Sequence, residues 1–411
     1  MLIPTNLIAD PQVIEGLANG GLVRFGSVIR HASGTPQGGE IFRHLLESPD
    51  LTSTLMNAPF NPVLPVADMT AKATGISGQL TQLGSTTSQI LGLTQITAGA
   101  SVLNLGVSVA GFLYMNHRLN QLQGQISEMS SLVEKGFSTI GGKLDRMQGQ
   151  LAYLCLMMEN NQVQQQQLKE GLARLHQAFL IKTISELQSE LYSLRLFPEE
   201  LPKNAIKASE SARIFLCNQA NQTPIEFTPQ SMMIADVATQ GWAVATATEA
   251  HLLLRHGRID EAEEILNHTV PLFKNHCDRW GSTLIKTERS ELSTAYRFEA
   301  PVFRDYISPE RLARIIKISP DDQDISIQKR EWKRQEAFVE FEMTRTKPNI
   351  SRQWIYSQIA LSEFLDTLSE LSDRLDGLRE FAKLCKRSGV KNCQELLPES
   401  GESGLYTLPN V

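Results

Sequence analysis

The residues that could do chemistry are few and scattered. His251 and His256 stand five apart, a spacing that puts them on different faces of a helix. His268 and His276-Cys277 come closer along a helix, yet they read as surface residues. Asp321, Asp322 and Asp324 hold enough carboxylate oxygen for a hard cation, but the run lacks the glycine and the terminal Glu of a calcium loop. It reads as a solvated loop. Arg24, Arg30, His31, Arg43 and His44 form a modest basic cluster, suited to anionic lipid or a partner, or to nothing more than a charged surface. No Walker motif, Gly-x-Gly-x-x-Gly, His-Glu-x-x-His or Gly-x-Ser-x-Gly occurs. No catalytic, cofactor or metal residue is therefore assigned, and the chain is read as a non-enzyme. An enzyme with its site in residues 198–350 is a third reading.

The five cysteines (Cys155, Cys217, Cys277, Cys385 and Cys393) are odd in number and without metal-type spacing, which suits free thiols. A net charge of −6 argues against nucleic acid as a partner, because phosphate neutralisation needs a clustered Lys/Arg surplus. The N-terminus, MLIPTNLIADPQ, has neither a basic n-region nor an apolar h-region, so Sec export is not expected. The expected location is cytoplasmic for the soluble form and membrane for an activated one.

What the chain has in place of a motif is a gap in its charge. Between Lys72 and Arg118 lie 45 residues, Ala73 to His117, without an Asp, Glu, Lys or Arg, in a chain that is 20% charged. The gap ends in a mostly apolar run, Ile96 to Met115. On a helix, Ile96, Val102, Leu105, Val109 and Phe112 supply an apolar face, the last four in one stripe. Thr97, Ser101, Asn104, Ser108 and Gly111 form a second stripe, small and polar without charge, suited to a neighbouring helix or a water-filled lumen. The Ile, Val, Leu and Phe residues of the run contribute roughly −2.5 to −5 kcal/mol on the insertion scale. Asn104, the hydroxyls and the glycines offset most of that. The balance is marginal, which implies conditional and not permanent membrane residence. Upstream, residues 76–91 form a shorter, more polar segment, and Gly92 allows the two to fold into a helical hairpin. The alternative is the buried end of a long helix in a soluble bundle.

The elements that would carry this tract follow at once. Leu119, Leu122, Ile126, Met129, Val133, Phe137, Ile140, Leu144, Met147, Leu151 and Leu154 recur at steps of 3 and 4, a coiled-coil-like seam with one stutter. The pattern blurs through Asn160–Gln167, resumes from Leu168 to Leu194, and ends at Phe197-Pro198. One helix of about 75 residues would span about 110 Å; two antiparallel helices are the alternative. A second heptad run, Leu361, Phe364, Leu368, Leu371, Leu375, Leu378 and Ala382, could lie along the first. Ala243 to Leu266 reads as helix, turn at His256-Gly257, helix. It resembles a single tetratricopeptide hairpin, without a second copy.

The expected fold is mainly α: an elongated helical bundle with long coiled-coil-like helices, an uncharged apolar helical hairpin and a small irregular N-terminal segment. The divisions are 1–72 (irregular), 73–116 (hairpin), 117–197 (long coiled-coil region), 198–350 (mixed helical), 351–397 (long helix) and 398–411 (flexible tail). Within the first, Leu22–Ile29 reads as a strand, Glu40–Leu46 as a short helix and Asn57–Pro65 as a linker. Residues 296–330 read as loop-rich.

This arrangement resembles the α-helical pore-forming toxins of the haemolysin BL and cytolysin A group over roughly residues 73–197 and 354–386. The resemblance is architectural and rests on no short motif. It implies an uncharged hairpin capping long packed helices and entering a bilayer on oligomerisation. A large segment before the hairpin and about 150 residues between the long helices depart from that pattern. The expected function is oligomeric membrane pore formation or membrane disruption, as a toxin component or as a cell-killing effector in bacterial or antiviral defence. Expected partners are lipid, further copies of the chain and a companion subunit. The alternative is a coiled-coil scaffold that never meets lipid.

Overall fold

In a computed structural model of the chain, the described residues are 11–47, 166–167, 170, 180–197, 201–286, 294–303, 307, 309–319, 321–323, 325–345, 352–396 and 405–409. The uncharged tract and the seam from Leu119 to Leu154 lie outside them. The fold is mainly helical. Helix α1 (Pro11–Ala18) leads into strands β1 (Leu22–Phe25), β2 (Val28–His31) and β3 (Ile41–Glu47). The helical body comprises α2 (Leu180–Leu196), α3 (Lys203–Gln222), α4 (Pro229–Arg255), α5 (Ile259–Ile285), α6 (Pro309–Lys317), α7 (Ile327–Arg345) and α8 (Arg352–Arg387). Short 3₁₀ turns occupy Ala295–Glu299, Pro301–Phe303 and Cys393–Leu396, and β4 (Leu405–Pro409) follows.

The N-terminal part departs from its expected irregularity. The single strand expected over Leu22–Ile29 is a hairpin, because Gly26 takes a left-handed φ of 54° and reverses the chain between Phe25 and Val28. The helix expected at Glu40–Leu46 is instead β3. It pairs antiparallel with β2 and, from the far end of the chain, with β4, whose Leu408 faces His44 and whose Leu405 faces Glu47. The tail expected to be flexible thus closes a sheet of order β1-β2-β3-β4. Val28 and Ile29 point to opposite faces and both are buried, so the sheet is covered on both sides.

The helix–turn–helix of α4 and α5 matches its sequence reading. Thr228 caps α4 by accepting the Ser231 N–H, Pro229 sits in the first turn, and Gly257 (φ 76°) stops the helix. α5 then runs through Pro271. The stripe Leu266, Val270, Phe273, Cys277, Trp280, Leu284 stays buried across the proline, and this packing outweighs one lost backbone hydrogen bond.

α8 is the centre of the body. At 36 residues it is about 54 Å long. Its heptad seam is buried from Leu361 to Leu375, but against α5: Trp280 meets Phe364 edge-on at 5.3 Å, and the Cys277 Sγ–H reaches the Leu368 carbonyl. The described part of the first heptad run, α2, packs on α3 instead, and α3 on α4. The region 296–330, expected as loop, contains α6 and the two 3₁₀ turns. Among the described residues no helix is long and apolar enough to cross a membrane.

Candidate functional site

The residues expected to meet lipid or a lumen (Ile96, Val102, Leu105, Val109, Phe112; Thr97, Ser101, Asn104, Ser108, Gly111) lie outside the described residues, as do Leu119, Leu122, Ile126, Leu144 and Leu151. The candidate site within them is a seam of buried charge on α8. A helix buried all round normally presents apolar residues all round. α8 does not. Opposite its leucine stripe stand Glu363, Asp366, Glu370 and Asp373, with steps of 3, 4 and 3.

The partners come from two places far apart in sequence. α6 presents Arg311, Arg314 and Lys317, one per turn, while Leu312 and Ile315 anchor its other face. Arg311 Nε reaches Asp366 at 3.1 Å, and Arg314 Nη2 reaches it at 3.0 Å. Lys317 pairs with Asp373 and lies 3.8 Å over the Phe25 ring. From β1, Arg24 grips Glu370 with both terminal nitrogens, at 2.9 and 3.0 Å, and the pair is almost fully buried. Arg374 adds a bond to Glu370 at 2.8 Å, and Arg30 of β2 reaches Asp376 at 3.2 Å. Arg24 and Arg30 of the basic cluster, which sequence alone allowed as charged surface, are therefore the hairpin's contacts with α8. His44 of the same cluster is buried edge-on to Phe381.

Two glycine positions permit this docking. A β-carbon on Gly26 would lie 2.5 Å from the Asp373 carbonyl carbon. One on Gly377 would strike the Ser27 side chain. The hairpin turn thus lies directly on the α8 backbone, and that approach is what brings Arg24 within reach of Glu370.

The carboxylates along the seam differ sharply. Burial alone would raise Glu370, but Arg24, Arg374 and Arg314 outweigh it and hold the group far below the usual range, ionised at any ordinary pH. Burial raises Asp373 despite Lys317. Burial pushes Glu363 up to about 7; Arg311 opposes this, while Asp366 and Asp236 of α4 add to it.

Two other sequence readings change. His276, expected at the surface, is buried between Trp242 and Trp280, with its Nε2 3.1 Å from the Thr239 hydroxyl. Burial, with Arg279, lowers it to about 4, so it is neutral. Asp322, expected in a solvated loop, is buried and accepts from the Ala295 N–H (2.7 Å), the Thr294 and Ser319 hydroxyls (2.9 and 2.7 Å) and Lys333 (2.6 Å). It staples the 3₁₀ turn to the start of α7 and is an anchor, not a cation ligand. Among the described residues no group of three or more His, Cys, Asp or Glu is placed to hold a metal. Cys217, Cys277, Cys385 and Cys393 are free thiols, and burial pushes Cys385 and Cys393 up to about 12, which makes them poor nucleophiles.

The seam was legible in part. The acidic steps 363, 366, 370, 373 and the basic steps 311, 314, 317 are regular in sequence, but the leucine heptad on the same helix masks the first. No protein-family model matches the chain, and neither does any curated protein or solved structure.

Proposed function

We propose that this protein acts on membranes conditionally, by oligomeric pore formation or membrane disruption, through the uncharged tract Ala73–His117. The observation that carries the reading is that tract itself: 45 residues without a formal charge inside a chain of otherwise ordinary charge density. Hydrocarbon excludes unpaired charge and unsatisfied backbone, so only an uncharged segment that can bond its own backbone enters it. The α6–α8 seam supports the division of labour. It sets α8 among fixed ion pairs that would cost several kcal/mol each to carry into lipid, so the helical body is the part that stays in water. A toxin component or a cell-killing defence effector is the role this mechanism serves, with self-association as its mode of assembly.

Limited proteolysis with mass mapping, with and without liposomes, tests the reading. The expected outcome is a lipid-protected fragment centred on Gly92–Met115, together with dye release from the vesicles. Identical digestion patterns over a range of pH and lipid composition, without dye release, would reject it in favour of the coiled-coil scaffold.

A further inference from the structure

Glu363 stands apart from the rest of the seam. It is 8% exposed, its Oε1 lies 3.8 Å from Arg311 Nη1, and its Oε2 is buried with no hydrogen-bond partner. Arg311 is not its own: the same guanidinium donates to Asp366 at 3.1 Å. The charged groups acting on Glu363 are Arg311 from α6, Asp236 from α4 and Asp366 from α8 itself. Asp236 is buried too and accepts from Gln240 at 2.6 Å. The third neighbour of α8, α5, meets it through Trp280 on Phe364, the residue after Glu363, and through Cys277 on the Leu368 carbonyl, five residues on. Three carboxylates therefore converge where α4, α6 and α8 meet, beside one shared guanidinium. A buried carboxylate oxygen without a donor is costly as an anion and far less so as an acid, whose O–H can turn toward a neighbouring carboxylate.

We propose that Glu363 is a proton-operated latch: protonated, it closes the contact between α4 and α8, and on losing its proton it is repelled by Asp236 of α4 and by Asp366 of its own helix, which loosens α4 from α8 while Arg311 keeps α6 in place. The direction of the pH effect follows from linkage. The folded chain holds this proton up to about 7, whereas the ordinary value is 4.5. The stabilising contribution is complete below 4.5, declines across the window from 4.5 to about 7, and is gone above it. Within that window one proton is worth about a tenfold fall in the folding constant per pH unit. The latch is independent of whether the chain ever meets lipid.

The test compares the full chain with Glu363→Gln, which mimics the protonated carboxyl, by urea unfolding from pH 4.5 to 8.5. The ratio of wild-type to variant folding constants should fall by about tenfold per pH unit and level off near pH 7. Amide exchange of α4 around Asp236, corrected to equal intrinsic rate, should quicken above pH 7 in the wild type alone. A pH-independent ratio, or equal exchange in both proteins, would overturn the proposal. Asp236→Asn gives a second handle that does not depend on the first variant folding. It removes a negative charge facing Glu363, so the carboxylic-acid carbonyl band in the infrared spectrum should titrate at lower pH than in the wild type. An unmoved titration would reject the junction as the cause.

Discussion

At the residue scale, Arg24 and Glu370 form an ion pair that joins the hairpin to α8. Both side chains are almost fully removed from water, so the pair lasts only while each neutralises the other. Arg24→Ala leaves the Glu370 carboxylate buried, though still held by Arg374 at 2.8 Å. The expected loss on urea unfolding is about 3 kcal/mol, the lower end for breaking a buried pair. A loss under about 1 kcal/mol, the range of exposed pairs, would mean that the hairpin does not seal this end of the seam. The same logic separates Glu370 from Glu363, two turns away on one helix. Three guanidiniums surround the first, whereas the second shares one with Asp366. Identical side chains thus titrate in different ranges, Glu370 ionised at any ordinary pH and Glu363 holding its proton up to about 7, and what differs is only which neighbours the fold supplies.

At the scale of elements, the hairpin and α8 depend on a backbone-to-backbone approach. Gly26 is doubly constrained, by its left-handed φ and by α8 lying 2.5 Å from where a β-carbon would be. Gly20 has a left-handed φ of 76° with nothing within 4 Å, so it isolates the conformational part. Gly20→Ala should cost about 1 kcal/mol, the penalty for an L-residue in that region. Gly26→Ala should cost about 1–3 kcal/mol more, because the added carbon must push the turn off α8. Chemical denaturation of the two variants measures the difference, and equal losses would show that the turn does not sit on the helix. α8 itself serves as two elements at once. Its leucine stripe meets α5 while its acidic stripe meets β1 and α6, whose basic row has a matching period.

For the whole molecule, the question is whether a charged, multiply anchored body carries a segment that can leave water. Val109 stands on the apolar stripe of the uncharged tract. A carboxylate facing lipid costs about 2.5–3.5 kcal/mol at mid-bilayer, comparable with the whole estimated gain from the run. Val109→Asp should therefore abolish dye release from liposomes while leaving the circular dichroism and unfolding midpoint of the protein near wild type. Unchanged release by the folded variant would remove Ile96–Met115 as the inserting segment. The sheet makes a further connection at this scale. β4 pairs with β3, so segments more than 350 residues apart in sequence are tied into one sheet.

By itself the sequence determined the helical class, the break at His256-Gly257 between α4 and α5, the end of α2 before Pro198 and the heptad stripe of α8. Each of these is written in local spacing: apolar residues at steps of 3 and 4, a glycine that can turn left, a proline that cannot continue a helix. The tertiary structure decided the rest. Ile41–Glu47 is too short for its period to separate helix from strand, and a partner more than 350 residues away made it β3. Arg24 and Arg30 look like surface charges because a sequence shows no burial; Glu370 and Asp376, each 346 residues on, buried the first and left the second half-buried. His276 and Asp322 moved inward for the same reason, as the Thr239 hydroxyl and the Ala295 N–H satisfied groups that would otherwise have needed water. Periodicity reports which face of an element is apolar. Whether a charge is buried depends on a neighbour that local spacing does not name.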